Sequence, residues 1–123
     1  MMTFNDYQSQ ASVTEISLNK FAENFPDLPE EVMKIVGLSY NGLGLGEAGE
    51  VQGKIKKIIR DCGGKITHEH IDQISGELGD ILWYISSTCT RLGISMDAVA
   101  MDNIRKLHRR KAEGTLEGSG DDR

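Results

Sequence analysis

Proline is absent from residue 30 onward; the chain's two, Pro26 and Pro29, share one short segment of the 123 residues. So long a stretch without a helix breaker points to an all-α chain. Cysteine is equally scarce. Cys62 and Cys89 are too few and too far apart for a disulfide framework or a zinc site, so reduced thiols are expected. No segment approaches the roughly 20 apolar residues needed to span a bilayer, and the opening MMTFNDYQSQ has no basic region followed by an apolar run. Membrane insertion and secretion are both disfavoured, and a cytoplasmic protein is expected. A basic excess is missing too: 14 Lys and Arg stand against 19 Asp and Glu, a formal net charge of -5. That balance argues against nucleic acid as the main partner, and a small anionic ligand would need a metal bridge. Repeats of fixed period are absent, and the length suits one modest core in a single domain.

What the chain does contain is helical patterning with caps. Thr3 can start a first helix carrying Phe4, Tyr7, Ala11 and Ile16, and Pro29, followed by Glu30 and Glu31, suits the start of a second. That second helix is expected to run to about Arg60 and stop at Asp61-Cys62-Gly63-Gly64. Thr67 can cap a third, in which Ile71, Ile74, Leu78, Ile81, Leu82 and Ile85 keep helical spacing until Arg91-Leu92-Gly93. Ser95 can cap a fourth, through Val99, Ile104 and Leu107, ending near Ala112. The expectation is a bundle of four to five helices over residues 1–112, followed by a flexible, Gly-rich acidic tail over 113–123. Gly37, Gly42, Gly44, Gly46, Gly49 and Gly53 interrupt the second helix, each costing about 1 kcal/mol relative to Ala in a helix interior. Either helices approach closely or the helix breaks near Asn41-Gly42, or the backbone makes room for a metal and a phosphate.

Two carboxylate pairs carry the chemistry. In Glu47-x-x-Glu50, the second acid lies about 60° around a helix from the first, and Leu43, Val51 and Ile58 fall within about 40° of Glu47. Glu77-x-x-Asp80 repeats the construction among Ile74, Ile81 and Ile85. Acids three apart repel, and on an apolar face the penalty grows. Two such pairs facing each other from separate helices become tolerable around a hard divalent cation such as Mg²⁺ or Mn²⁺. Lys54, one turn beyond Glu50, can bind a phosphate oxygen or pair with Glu50. Tyr84, one turn beyond Asp80, can stack on a base or fill the core with its hydroxyl at the rim; Trp83 points elsewhere, to core or a subunit interface.

Other patterns carry less. Gly44-Leu45-Gly46-Glu47-Ala48-Gly49 matches G-x-G-x-x-G formally, but no βαβ pattern surrounds it and Glu47 would sit beside a pyrophosphate. His68-Glu69-His70 lacks the i, i+4 histidines of a zinc protease. The basic run from Asn103 to Arg110 either complements a helix dipole or contacts phosphate.

Taken in order, Glu47-Ala48-Gly49-Glu50-Val51, Lys54, Gly76-Glu77-Leu78-Gly79-Asp80-Ile81-Leu82-Trp83-Tyr84 and Asn103-x-x-Lys106-Leu107-x-x-Arg110 form a specific combination. The chain resembles the MazG-like all-α nucleoside triphosphate pyrophosphohydrolases over roughly residues 38–110. The resemblance implies a bundle that forms a homodimer or homotetramer and binds Mg²⁺ through Glu47, Glu50, Glu77 and Asp80. It also implies cleavage of a nucleoside triphosphate between the α- and β-phosphates; by the chemistry of the residues themselves, a carboxylate, Glu50 or Glu47, is expected to take the proton of the attacking water. By the same resemblance Lys54, Lys106 and Arg110 contact phosphate, Asn103 contacts sugar or phosphate, and Tyr84 stacks near the nucleoside. The alternatives are a phosphoribosyl-ATP pyrophosphohydrolase, which shares the acidic pattern, and a non-catalytic helical module with a metal-stabilised core that binds a partner protein through the basic end of the fourth helix and Trp83.

Overall fold

Thr3, Thr67 and Ser95 each accept a backbone N–H two or three positions into the helix they start, as their sequence positions demand. Thr3 and Thr67 complete reciprocal capping boxes with Asp6 and His70. Gly63, Gly93 and Gly114 close three helices in the left-handed conformation, at φ of 58°, 69° and 70°. The computed structural model describes residues 1–120, and its regular elements are all helical. They run α1 (Phe4–Ser12), α2 (Ile16–Asn24), α3 (Glu30–Gly44), a single 3₁₀ turn (Leu45–Glu47), α4 (Ala48–Cys62), α5 (His68–Leu92) and α6 (Met96–Glu113). Residues 114–120 follow α6 without a further helix; the remainder of the expected tail, 121–123, lies outside the described residues.

Two expected helices are each divided, so six α-helices replace the four to five read from the sequence. The first stops at Ser12, and Ile16 opens α2 instead of closing α1. Ser12 Oγ and Thr14 Oγ1 donate to the carbonyls of Ser9 and Ala11, at 2.8 and 2.7 Å, offering the backbone a local alternative to continuing the helix. The second is broken by the 3₁₀ turn, a few residues past the expected Asn41-Gly42 break. Gly44 explains the location. A methyl group there would overlap the Tyr84 ring, so α3 and α5 approach closely where helix propensity is already weak.

The 25-residue α5, about 37 Å long, is the axis against which α1, α3, α4 and the 3₁₀ turn pack. Near its C-terminal end the interior is polar. Asn41, with 0% exposure, donates from Nδ2 to Ser87 Oγ at 2.9 Å, and Ser87 Oγ donates to Glu15 Oε1 at 2.8 Å. Arg91 Nε donates to the same carboxylate oxygen at 3.0 Å, over Gly37, where a methyl would overlap the guanidinium. This chain joins α3 and α5 to the α1–α2 link and satisfies charges that would be costly if buried alone. Leu18, Ile58, Cys89 and Met96 supply the buried apolar side chains among the described residues.

The apolar stripe expected to form the core of α5 splits between interior and surface. Ile74, Ile81 and Leu82 are half-buried, whereas Ile71, Leu78 and Ile85, with Leu92, stand exposed at seven-residue intervals along one side. Leu43, placed beside Glu47 by helical geometry, is 83% exposed, because the 3₁₀ turn rotates α3 out of register with α4. Among the described residues no helix is long and apolar enough to cross a membrane.

Candidate functional site

Glu47 closes the 3₁₀ turn and opens α4, so the break in the long helix is what turns its carboxylate toward α5. Glu77 and Asp80 face it from adjacent turns of α5, and one carboxylate oxygen of each can be chosen with all three within 4.8 Å of one another. Glu47 and Glu77 are half-buried and Asp80 is exposed. Three hard oxygen donors converging from two elements fit a divalent cation of the Mg²⁺ or Mn²⁺ type, and repel one another without one. It is the one such group among the described residues. Glu50, in the first turn of α4, is exposed and stands outside it.

Lys54 pairs across the helix interface. Its Nζ lies 3.1 Å from Glu77 Oε1, with the two side chains 28% and 18% exposed, so the partner is on α5 and not Glu50 one turn back. An attraction at a partly desolvated position outweighs one to an exposed acid on the same helix. The ammonium also offsets part of the repulsion within the acid group.

Glu47 and Asp80 line a cavity of about 310 Å³ with Thr14, Ser17, Tyr40, Trp83 and Tyr84. The Tyr84 ring lies 6.3 Å from that of Tyr40, tilted by 55°, and 5.1 Å from that of Trp83 in an edge-on contact. Trp83 Nε1 donates to Thr14 Oγ1 at 2.7 Å. Trp83 therefore lines the same cleft as Tyr84, where the sequence had turned it elsewhere; the indole bends back to a hydroxyl that the α1–α2 break supplies. Burial raises the Tyr84 pKa above its ordinary value, reinforced by Tyr40 and by the charges of Glu47 and Asp80, so its phenol stays protonated as a donor. Tyr7 on α1 is raised likewise, first by burial and then by Asp80.

A second cavity, of about 200 Å³, lies between the end of α4 and the start of α5, lined by Lys54, Lys57, Ile58, Asp61, Cys62, His70 and Gln73. The remaining residues singled out from the sequence are elsewhere. Asn103 and Lys106 line a surface recess on α6 with Val99 and Asp102, and that recess contains none of the three acids. Arg110 is buried, and its guanidinium donates to the carbonyl of Gly120 at 3.4 Å, within the segment after α6. α6 packs chiefly on α1, which explains why these groups are not brought to the acids within one chain.

Sequence reasoning missed Thr14, Ser17, Tyr40, Lys57, His70 and Gln73 as lining residues. Tyr40 stands seven residues before Glu47, a spacing that could have signalled a shared face. Thr14 and Ser17 reach the cleft through the helix break after Ser12, for which the hydroxyls of Ser12 and Thr14 were the available local signal.

Comparison with known proteins bears on this arrangement. A family model, the MazG nucleotide pyrophosphohydrolase domain, matches residues 39–115, which contain both acidic motifs, Lys54, Tyr84 and the Asn103–Arg110 run. The gene 37 protein of Mycobacterium phage L5 is 47% identical over 90 residues, covering 72% of this chain and 79% of that protein. No solved structure matches significantly.

Proposed function

The chain belongs to the MazG nucleotide pyrophosphohydrolase family, and on that premise we propose that it hydrolyses nucleoside triphosphates, with Mg²⁺ or Mn²⁺, to a nucleoside monophosphate and pyrophosphate, in control of the nucleotide pool. The observation that carries the reading is the convergence of Glu47, Glu77 and Asp80 at the edge of an aromatic cleft. A divalent cation held by these three carboxylates supplies neutralisation of phosphate oxygens and a lowered pKa for bound water.

The chain's own groups take the remaining roles. Lys54, already at the acid group, meets phosphate oxygens as they arrive. Glu50, exposed one turn from Glu47, accepts the proton of the attacking water. Tyr84 and Tyr40 offer ring faces to the base, and the protonated Tyr84 phenol donates. In the reaction one water is consumed and the bridge between the α- and β-phosphates is cut.

The surface points to assembly. The chain exposes 9,025 Å², against about 6,600 Å² for a compact monomer of 13.6 kDa, an excess of about 2,400 Å². A stable interface needs about 800 Å² per partner. Ile71, Leu78, Ile85 and Leu92 form a seven-residue repeat suited to a second copy, so a homodimer or homotetramer is the proposed state. In such an assembly Asn103 and Lys106 of one copy are candidates to reach phosphate bound at another's acids.

Calorimetry with a non-hydrolysable triphosphate analogue separates this reading from a non-catalytic helical module. Nucleotide binding that requires the cation supports the enzyme, and cation binding without nucleotide binding refutes it. A panel of triphosphates, with phosphoribosyl-ATP among them, then identifies the substrate by pyrophosphate release.

A further inference from the structure

The acid group has two flanks of opposite chemistry. On one, the cleft of Tyr40, Trp83 and Tyr84 presents ring faces and two hydroxyl side chains, Thr14 and Ser17. On the other, the smaller cavity at the α4–α5 junction presents Lys54, Lys57, His70 and Gln73, with no aromatic ring except the imidazole. Lys54 joins this second cavity to the acids, since it lines the cavity and its ammonium lies 3.1 Å from Glu77 Oε1.

We infer that the α4–α5 cavity is the pyrophosphate pocket: it takes the β- and γ-phosphates of the substrate and releases them as product, while the nucleoside occupies the aromatic cleft. The inference rests on the proposed reaction and adds the direction in which the substrate lies.

The chemistry of the lining supports an anion. His70 Nδ1 accepts the backbone N–H of Thr67 at 3.2 Å, which places the imidazole proton on Nε2 and makes that nitrogen a donor. Gln73 commits one amide N–H to Glu69 at 3.3 Å and carries a second. Asp61 is the one acid in the lining. Its carboxylate is held in a fork by Arg60, at 2.6 and 2.8 Å, and its pKa is lowered first by that pairing and then by the charge of Lys57, so its charge is already answered. The end of α4 and the start of α5 meet here with dipoles of opposite sense, so the side chains decide the sign of the potential. Size agrees as well. At about 200 Å³ the cavity is smaller than the aromatic cleft, at about 310 Å³, the order expected of a pyrophosphate pocket beside a nucleoside site.

Product inhibition tests the assignment. With the full chain turning over a triphosphate at fixed free Mg²⁺, inhibition by added pyrophosphate is compared with inhibition by the monophosphate product. Lys57→Ala, which removes a cation, and Gln73→Glu, which adds a carboxylate, should each raise the half-inhibitory pyrophosphate concentration about tenfold, the loss of one charge-assisted contact. Inhibition by the monophosphate should move less than about twofold in both, and Lys56→Ala, exposed on α4 outside the lining, should move neither. Both variants change exposed side chains, and circular dichroism checks their folding. Unchanged pyrophosphate inhibition in both folded variants overturns the pocket while leaving the proposed reaction standing, as does an equal shift for both products or an unvaried protein that pyrophosphate does not inhibit. A folded native protein that releases no pyrophosphate from any triphosphate overturns both.

Discussion

From His68 to Tyr84, α5 turns Glu77, Asp80, Trp83 and Tyr84 toward cavities, whereas from Ile85 to Leu92 the same helix turns Ser86, Ser87, Cys89 and Arg91 into the protein. Both halves are rich in polar groups for different physical reasons. In the second half each charge has a partner within the fold: Arg91 has Glu15, and Glu15 also accepts from Ser87. In the first half, Glu47, Glu77 and Asp80 face one another, and among the described residues Lys54, paired with Glu77, is the one cation in an ion pair with them, so the fold leaves negative charge unanswered where water and ligands can reach it. Polar residues that hold a structure together are paired from inside. Polar residues that do chemistry are left wanting a partner from outside.

This contrast can be broken by substitution on either side. Glu77→Gln or Asp80→Asn should lower turnover at least about 10³-fold, roughly 4 kcal/mol of transition-state stabilisation, with circular dichroism and thermal midpoint unchanged. A midpoint that falls in step with activity would show that the acids serve the fold instead. Arg91→Ala should do the reverse, costing about 3 kcal/mol in urea unfolding because Glu15 is left partly buried without its cation, while turnover per folded molecule stays within a few-fold. Leu78→Lys, on the exposed seven-residue stripe, should weaken self-association by about 2 kcal/mol without unfolding the chain, seen as a shift toward monomer in sedimentation. If the native chain already sediments as a monomer, the stripe has another purpose. Trp83→Phe removes the indole donor to Thr14 together with part of the ring that meets Tyr84, and should cost about 1 kcal/mol of stability, along with a rise in KM as the cleft loosens.

Much of the local structure was legible from single residues. Thr3, Thr67 and Ser95 cap helices, and Gly63 and Gly93 end them, because capping is decided within four residues of chain. Three of the four acids read from the two motifs meet in space, since helical spacing already placed Glu77 and Asp80 together. What could not be read depends on contacts distant in sequence. The 3₁₀ turn that aims Glu47 arises where the Tyr84 ring lies over Gly44, forty residues apart in the numbering. Lys54 selects Glu77 over Glu50 because α4 lies against α5, and helical spacing alone offers only the intrahelical partner. The stripe of Ile71, Leu78 and Ile85 has the period of a buried face, and period cannot say whether the covering surface is the same chain or another.

The most direct test of the acid group as the centre of a pyrophosphohydrolase is ³¹P NMR of a nucleoside triphosphate incubated with the protein and Mg²⁺. The structure and family lead to the growth of one monophosphate signal and one pyrophosphate signal of twice its area, from two equivalent phosphorus nuclei, stopping when a chelator removes the cation. Diphosphate and orthophosphate in their place, or a triphosphate spectrum that does not change in the presence of folded protein, would contradict it.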